Sequence, residues 1–244
     1  MIDAQVEPKD SGKAPKVYPA WIVVDESFSM DGAAIDAVNS SVKKIHLHFL
    51  KHPVDAGKIF LGFVGFADIA EEILPLQDVS KVEEVPRYEP QGATNYGAAF
   101  TLLKEVIERD MKSLKAQGFE RSAALVFFIT DGRPSDSWEQ AYKDLCDPKF
   151  VYRPHVISFG IGDDISDDII RKISNVPKGA YLPSNEKEPV APEVVLPEIF
   201  KKITATLFKT LKDGESGDNA PILDLPEVEG TKQMDPIRLD SIED

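Results

Sequence analysis

The sequence carries one diagnostic segment, Ile22-Val23-Val24-Asp25-Glu26-Ser27-Phe28-Ser29-Met30, in which an apolar run ends abruptly in Asp-x-Ser-x-Ser. Such a run is typical of a buried strand, and its end delivers one carboxylate and two hydroxyls into a tight turn. Oxygen ligands of this kind suit a hard cation. Because Asp and Ser are also common turn residues, the motif needs support from elsewhere in the chain.

Two later segments supply that support. Gly92-Ala93-Thr94-Asn95 opens a helical pattern after a Pro-containing loop, and Leu125 to Gly132 is a second apolar strand that ends in Asp131. In a doubly wound sheet, ligands bind at the carboxyl ends of the strands. Asp25, Thr94 and Asp131 all fall at strand-to-helix transitions facing that edge, so we expect these three distant segments to converge.

The order Asp-x-Ser-x-Ser, loop Thr, strand-terminal Asp-Gly resembles the metal-ion-dependent adhesion site of von Willebrand factor type A domains. The resemblance runs from about Val17 to Lys212, which is most of the chain. Within that family the sequence looks most like the bacterial TerY-like proteins of the tellurite-resistance group. The flanking residues that carry this finer likeness are Ile35-Asp36-Ala37-Val38-Asn39, Gly-x-Thr-x-x-Gly-x-Ala from Gly92 to Ala99, and Thr130-Asp131-Gly132-x-Pro134-x-Asp136 followed by Trp138.

The resemblance implies a ligand set and a mode of action. It implies that the Ser27 and Ser29 hydroxyls bind the ion directly, that Asp25 and Asp131 hold waters or the serines, and that Thr94 joins when a ligand is engaged. Mg2+ is the expected ion, while Mn2+ or Ca2+ would suit the same oxygens. Few carboxylates bind the ion directly in such a site, so an open position remains for a partner's Asp or Glu.

One residue departs from the family pattern. The family usually places Gly between the two serines, and Phe28 stands there in this chain. Phe cannot adopt a positive φ as cheaply as Gly, so we expect a slightly reshaped turn.

The wider pattern predicts an α/β fold, because apolar strand-like runs alternate with helix-period segments. We predict a mostly parallel, doubly wound sheet with one antiparallel edge strand and helices on both faces. The predicted strands are 18–24, 59–66, 69–76, 122–130, 155–162 and 180–182, and the predicted helices are 33–51, 96–116, 135–146, 166–174 and 194–211.

Composition limits the possible function classes. The formal charge of −14 and the pI near 4.8 argue against nucleic acid or an anionic membrane surface as a partner, since both would repel the protein. Cys146 is the single cysteine, which excludes an internal disulfide framework and a cysteine-based zinc ribbon. With no hydrophobic signal core and no apolar run of membrane-spanning length, the sequence predicts a cytoplasmic protein.

The domain organisation follows from the same reading. We expect a flexible N-terminal segment at 1–16, a von Willebrand factor type A domain at 17–212 and an acidic, disordered tail at 213–244. The tail holds ten acidic residues and two basic ones, too polar a mixture to bury a core. Three roles stay open for it: a docking segment, a pseudo-ligand for the metal site, or a solubilising extension.

The leading hypothesis is a non-enzymatic, metal-dependent protein-binding module. The resemblance implies a scaffold in a bacterial stress-response or phosphorylation-signalling complex, with a protein kinase or phosphatase as partner. One alternative is an adaptor for a MoxR or chelatase-type AAA+ ATPase. The other is a Mg2+-dependent phosphohydrolase, which would need an acid two residues after Asp25, where Ser27 stands. His48 and His52 lie four apart and could share a metal, but a solvated helix face explains them more simply.

Overall fold

The computed structural model describes residues 14–162, 165–184, 191–215, 227–228 and 231–239. The chain forms an eight-stranded sheet with helices on both of its faces. None of the helices in these ranges combines the length and apolar content needed to cross a membrane.

The strands and helices follow one another in the alternating order that the sequence predicts. The strands are β1 (Lys16–Asp25), β2 (Ile59–Phe66), β3 (Ala70–Asp78), β4 (Glu120–Arg121), β5 (Leu125–Thr130), β6 (His155–Gly160), β7 (Ala180–Pro183) and β8 (Thr231–Met234). The helices are α1 (Ala33–Leu50), α2 (Pro53–Ala56), α3 (Tyr96–Ala116), α4 (Glu139–Cys146), α5 (Asp167–Ile173) and α6 (Pro192–Glu215), with short 3-10 turns at Phe28–Met30 and Val79–Lys81.

The sheet has the strand order β3-β2-β1-β5-β6-β7-β8, and β4 pairs with the start of β1. β1 is an interior strand, parallel to both β2 and β5, and β6 and β7 continue the parallel sheet beyond β5. β3 is the antiparallel neighbour of β2. The predicted α/β architecture is therefore confirmed, including the antiparallel edge at β3.

Side chains of β1 alternate between two cores, as the two-residue period of a strand requires. Ala20 and Ile22 belong to the core under α1 and α6, whereas Trp21 and Val23 belong to the core under α3, α4 and α5. Both faces of β1 are buried, which explains why its sequence is a continuous apolar run rather than an alternating one. Burial on both faces fixes β1 and thereby the position of its carboxyl end.

The acidic C-terminal segment differs from the sequence-based expectation. Residues 231–234 form β8, which pairs antiparallel with β7, and Val228 is buried in the core under α6. α6 also runs to Glu215, past the expected domain end at Lys212. The pattern Thr-Lys-Gln-Met lacks an apolar run, so the strand depends on backbone pairing with β7 rather than on its own hydrophobicity. The rest of the predicted tail, and most of the predicted N-terminal segment, lies outside the described residues.

Candidate metal centre

The first of the predicted ligands, Asp25, is the last residue of β1 and is fully buried. Its carboxylate accepts hydrogen bonds from the Ser27 backbone N–H (2.8 Å) and from the Thr130 hydroxyl (2.5 Å). Burial raises the pKa of Asp25 to about 6, and these hydrogen bonds offset that effect only in part. A buried carboxylate held in this way lacks a compensating positive charge among its hydrogen-bonding neighbours.

The two serine hydroxyls form a continuous chain with Asp131. The Ser29 hydroxyl donates to the Asp131 carboxylate (2.7 Å), and the Ser27 and Ser29 hydroxyl oxygens are 2.9 Å apart. Ser27 is buried, whereas Ser29 is exposed. The oxygens therefore extend from the protein interior to the surface, so the cluster is open on its Ser29 side.

The Thr94 hydroxyl belongs to the same cluster. A Cβ placed on Gly132 would lie 3.0 Å from the Thr94 Oγ1 and 3.6 Å from the Ser29 Oγ. Thr94 and Ser29 thus both face the backbone that follows Asp131. The structure therefore brings together all five side chains predicted as ligands, which come from three loops.

The loop that carries Thr94 is fastened to the loop after β2. The Asp68 carboxylate accepts from the Ala93 backbone N–H (3.0 Å), and the Asn95 backbone N–H donates to the carbonyl of Ala67 (3.0 Å). Gly92 has a φ of +60°, and a Cβ there would lie 2.4 Å from Asp68 Oδ2. Glycine is therefore required at position 92 both for its conformation and for the close approach of Asp68.

Glu26, between the first two predicted ligands, holds the same loop from the other side. Its carboxylate accepts from the Glu89 backbone N–H (2.9 Å), its carbonyl accepts from the Gln91 N–H, and burial raises its pKa. Gly65 leaves room for this carboxylate, because a Cβ there would lie 2.0 Å from Glu26 Oε2. Glu26 stands at the first x position of Asp-x-Ser-x-Ser, and nothing in the local sequence indicates its role.

Three further side chains lie behind the cluster. The Tyr96 hydroxyl donates to the Gly132 carbonyl (2.7 Å) and is 3.1 Å from the Thr130 hydroxyl that binds Asp25. The Asp136 carboxylate accepts from the Gly97 N–H (2.8 Å) in the first turn of α3, where a negative charge is favourable. Thr130 and Asp136 belong to the quoted motif, so the sequence contained a signal for them, although their roles depend on contacts across loops.

Phe28 adopts a negative φ in the turn, since Lys178 is the one non-glycine residue of the described chain with a positive φ. The segment Phe28–Met30 forms a 3-10 turn, and the Phe28 N–H donates to the Gly92 carbonyl (3.2 Å). The Phe28 side chain is 69% exposed beside the open side of the cluster. Phe in place of the usual Gly therefore places an exposed apolar group next to Ser29.

The donor atoms of the cluster suit a hard cation. They are carboxylate and hydroxyl oxygens, which Mg2+, Mn2+ and Ca2+ prefer. Within the described ranges, no three His, Cys, Asp or Glu side chains converge on one point, so a metal here depends on the serine and threonine oxygens. The buried Asp25 carboxylate, whose pKa is raised, fits a site that gains from a nearby positive charge.

The other residues considered as metal ligands do not join this cluster. His48 and His52 lie 5.0 Å apart, ring centre to ring centre, and both pack edge-on against Phe208. They line a cavity of about 640 Å3 between α1 and α6. Cys146 lies at the end of α4 and contacts Asn175.

Comparison with known proteins identifies the domain type. The family described as von Willebrand factor type A domain matches residues 21–195. No curated protein matches the sequence.

Among solved structures, the chain resembles a von Willebrand factor type A protein from Catenulispora acidiphila, with 16% identity, a TM-score of 0.54 and coverage of 80% of this chain and 43% of the other. It also resembles the pilus adhesin SpaC of Lactobacillus rhamnosus GG, with 14% identity, a TM-score of 0.60 and coverage of 83% and 32%. At these identities the likeness shows the fold. The chain spans less than half of the length of either protein.

Proposed function

The chain belongs to the von Willebrand factor type A domain family, and from this premise we propose that it is a non-enzymatic protein-binding module that works through a bound divalent cation. One observation carries the proposal: the oxygens of Asp25, Ser27, Ser29, Thr94 and Asp131 converge at the carboxyl edge of the sheet. This is the edge at which ligands bind in doubly wound folds.

These five residues would hold the ion, which would supply a positive charge with an open position for an outside carboxylate. The chain's own residues prepare the site. Glu26 and Asp68 fix the loop that carries Thr94, and the Thr130 hydroxyl orients the Asp25 carboxylate. Positioning by a second shell of this kind tunes affinity and keeps the ligands in place.

The surface beside the cluster supports a proposal for the chemistry of the partner. A carboxylate of a partner protein would complement the cation, and the exposed Phe28 ring would pack against an apolar residue next to that carboxylate. We propose an acidic residue with an apolar neighbour as the feature that is recognised. Mg2+ is the proposed ion, because it is the common divalent ion of the cytoplasm, the proposed location.

The finer assignment comes from the sequence resemblance alone. On that basis we propose a scaffold of the TerY-like type, in a bacterial complex for tellurite resistance, stress response or phosphorylation signalling. A phosphohydrolase is disfavoured, because the position two residues after Asp25 holds Ser27, which is a poor general acid near neutral pH.

Calorimetry with Mg2+ and Mn2+ tests the proposed metal site. Wild type should bind with one ion per chain, and Ser29→Ala should bind at least about tenfold more weakly, because one direct oxygen ligand is lost. Ser40→Ala is the matched control, since Ser40 is an exposed serine of α1 away from the cluster. Equal affinity in all three proteins would refute the assignment of the metal ligands.

Capture of partners tests the module itself. The tagged full-length protein should retain a partner in Mg2+ and lose it in chelator, and Ser29→Ala should lose the same partner in Mg2+. A partner kept under all three conditions would show that recognition does not pass through the metal site.

A further inference from the structure

A small polar pocket lies at the edge of the sheet opposite to the candidate metal centre. Its volume is about 250 Å3, and its lining includes Arg121, Ser122, Tyr152 and Arg153. Arg121 ends β4, and Arg153 comes two residues before β6 begins, so the pocket lies at the amino ends of the strands. We call it the arginine pocket.

The charge of the arginine pocket contrasts with that of the whole protein. The chain has 42 acidic and 28 basic residues, yet the lining of this pocket has two arginines and no acidic residue. Glu120, the acidic residue next to Arg121, is exposed on β4, where successive side chains point to opposite sides. A local positive charge is thus preserved on a strongly acidic protein.

The Arg121 side chain is held in place but is mostly without hydrogen-bond partners. One of its Nη atoms donates to the Met111 carbonyl, and its guanidinium lies 5.9 Å from the centre of the Tyr152 ring. Its Nε–H is buried and has no hydrogen-bond partner within the described chain. A guanidinium offers five N–H donors, so four of them make no contact with a described acceptor.

Neither arginine of the pocket is neutralised by a carboxylate in the parts of the chain that the structure covers. By contrast, Arg109 on α3 pairs with both Glu72 and Asp110. The positive charge of Arg153 also affects its neighbour His155, whose pKa is lowered by burial and further by this charge. Two unpaired guanidinium groups beside one cavity favour an anion from outside the chain.

We propose that the arginine pocket binds a phosphate group, either as free phosphate or as the phosphate of a larger ligand. A guanidinium matches the oxygens of phosphate with parallel N–H donors. A carboxylate has two oxygens and one charge, whereas phosphate offers more oxygens and more charge to two separate guanidinium groups. The Ser122 hydroxyl, which now donates to the Ala123 carbonyl (3.1 Å), lies in the same lining and is a further donor.

The test is an NMR titration of the full-length, 15N-labelled protein in chelator, which keeps the candidate metal centre out of the experiment. The signals observed are the Nε–Hε groups of the arginines. Sodium phosphate is compared with sodium chloride at the same ionic strength, and N-acetyl-phosphoserine-methylamide is the third titrant. The variants are Arg121→Lys and Arg153→Gln, and the matched control is Arg87→Gln, because the Arg87 side chain is 72% exposed and lies in the loop before Glu89.

With phosphate, the Arg121 Nε–Hε signal should shift and saturate in the millimolar range, whereas chloride should leave it in place. Arg121→Lys and Arg153→Gln should each weaken phosphate binding about tenfold, since each removes charge-assisted hydrogen bonds, and Arg87→Gln should not. Tighter binding of the phosphoserine derivative would identify a phosphorylated macromolecule as the source, and tighter binding of inorganic phosphate would identify the free ion.

Three results would overturn the proposal. The first is the absence of a saturable shift at Arg121 with both phosphate ligands. The second is an equal response to chloride, which would show mere ionic screening. The third is unchanged affinity in Arg153→Gln, a substitution at an exposed residue that the fold should tolerate.

Discussion

Replacement of Asp25 by Asn should stabilise the metal-free protein while removing its response to Mg2+. Asp25 is buried at the end of β1, and its pKa is about 6 instead of 3.8. Near neutral pH the folded chain must therefore hold an ionised carboxylate in an environment that disfavours the charge. Asn has nearly the same shape without the charge.

The size of the effect follows from the pKa. A rise from 3.8 to about 6 corresponds to at most about 3 kcal/mol of destabilisation of the folded state by the charge. The amide can still accept the Ser27 N–H, but the Thr130 hydroxyl must reorient, which costs about 1 kcal/mol. The net gain in the free energy of unfolding should therefore be about 1–2 kcal/mol.

The gain should also depend on pH. Below the unfolded-state pKa of 3.8, Asp25 is protonated in both states, so the charge no longer destabilises wild type and only the cost of about 1 kcal/mol for reorienting the Thr130 hydroxyl separates Asp25→Asn from it. Between 3.8 and about 6 the unfolded carboxyl is ionised while the folded one stays mostly protonated, so wild type loses stability relative to Asp25→Asn as the pH rises. Above about 6 the difference between the two proteins should stay constant.

Urea unfolding in chelator at several pH values measures this difference. A second series in Mg2+ should stabilise the wild type by about 2.7 kcal/mol at a hundredfold excess over the dissociation constant, and Asp25→Asn by nothing. Asp31→Asn is the control, because Asp31 is an exposed acid just beyond the cluster. A variant that is less stable than wild type in chelator above pH 6, or that still responds to Mg2+, would refute the reasoning.

Four other predictions concern the same region and the C-terminal strand. Thr94→Ala should weaken partner binding more than ion binding, and equal losses in calorimetry and capture assays would indicate a static site. Phe28→Ala should leave Mg2+ affinity unchanged but weaken partner binding about tenfold, through loss of apolar contact, when the captured partner is titrated. Gly92→Ala should lower the free energy of unfolding by about 1–3 kcal/mol because of its positive φ, measured by urea unfolding. Truncation after Lys212 should destabilise the domain by at least about 2 kcal/mol, since it removes β8 and the buried Val228, and a melting temperature equal to wild type would contradict that role.

The local sequence pattern was sufficient to predict most of the strands and helices. The apolar run of β1 and the helical spacing of Ile35, Val38 and Val42 in α1 are properties of neighbouring residues, and both predicted elements are confirmed. The antiparallel strand β3 followed from the short turn after β2. These patterns can be recognised without tertiary information, because burial of one face gives each helix or strand a characteristic spacing of apolar residues.

The candidate metal centre was accessible to sequence reasoning for a related reason. Asp25 ends β1 and Asp131 directly follows β5, the parallel neighbour of β1, so the topology alone places them at one edge. The order of the motif then adds the serines and Thr94. Their role as metal ligands stays a prediction, for which the structure supplies the convergence of the oxygens.

Only the tertiary structure decided which residues hold that centre in place. Glu26, Asp68 and Thr130 each form a hydrogen bond with a group that is remote along the chain. The separations in sequence are 63, 25 and 105 residues, respectively. Such contacts cannot be recognised in the local sequence. An acidic residue that accepts a hydrogen bond from a distant N–H has the same sequence signature as an acidic residue on the surface.

The same limit explains β8 and the arginine pocket. β8 has no apolar pattern of its own and exists because β7 offers an unpaired edge, while the pocket forms where Arg121 and Arg153, 32 positions apart in the sequence, meet beside Tyr152. The sequence by itself determined most of the strands and helices and the edge at which the candidate metal ligands gather, since these depend on periodicity and strand order. The pairing of polar groups and the placement of unpaired charge were decided by packing, since they depend on distances between residues that are remote along the chain.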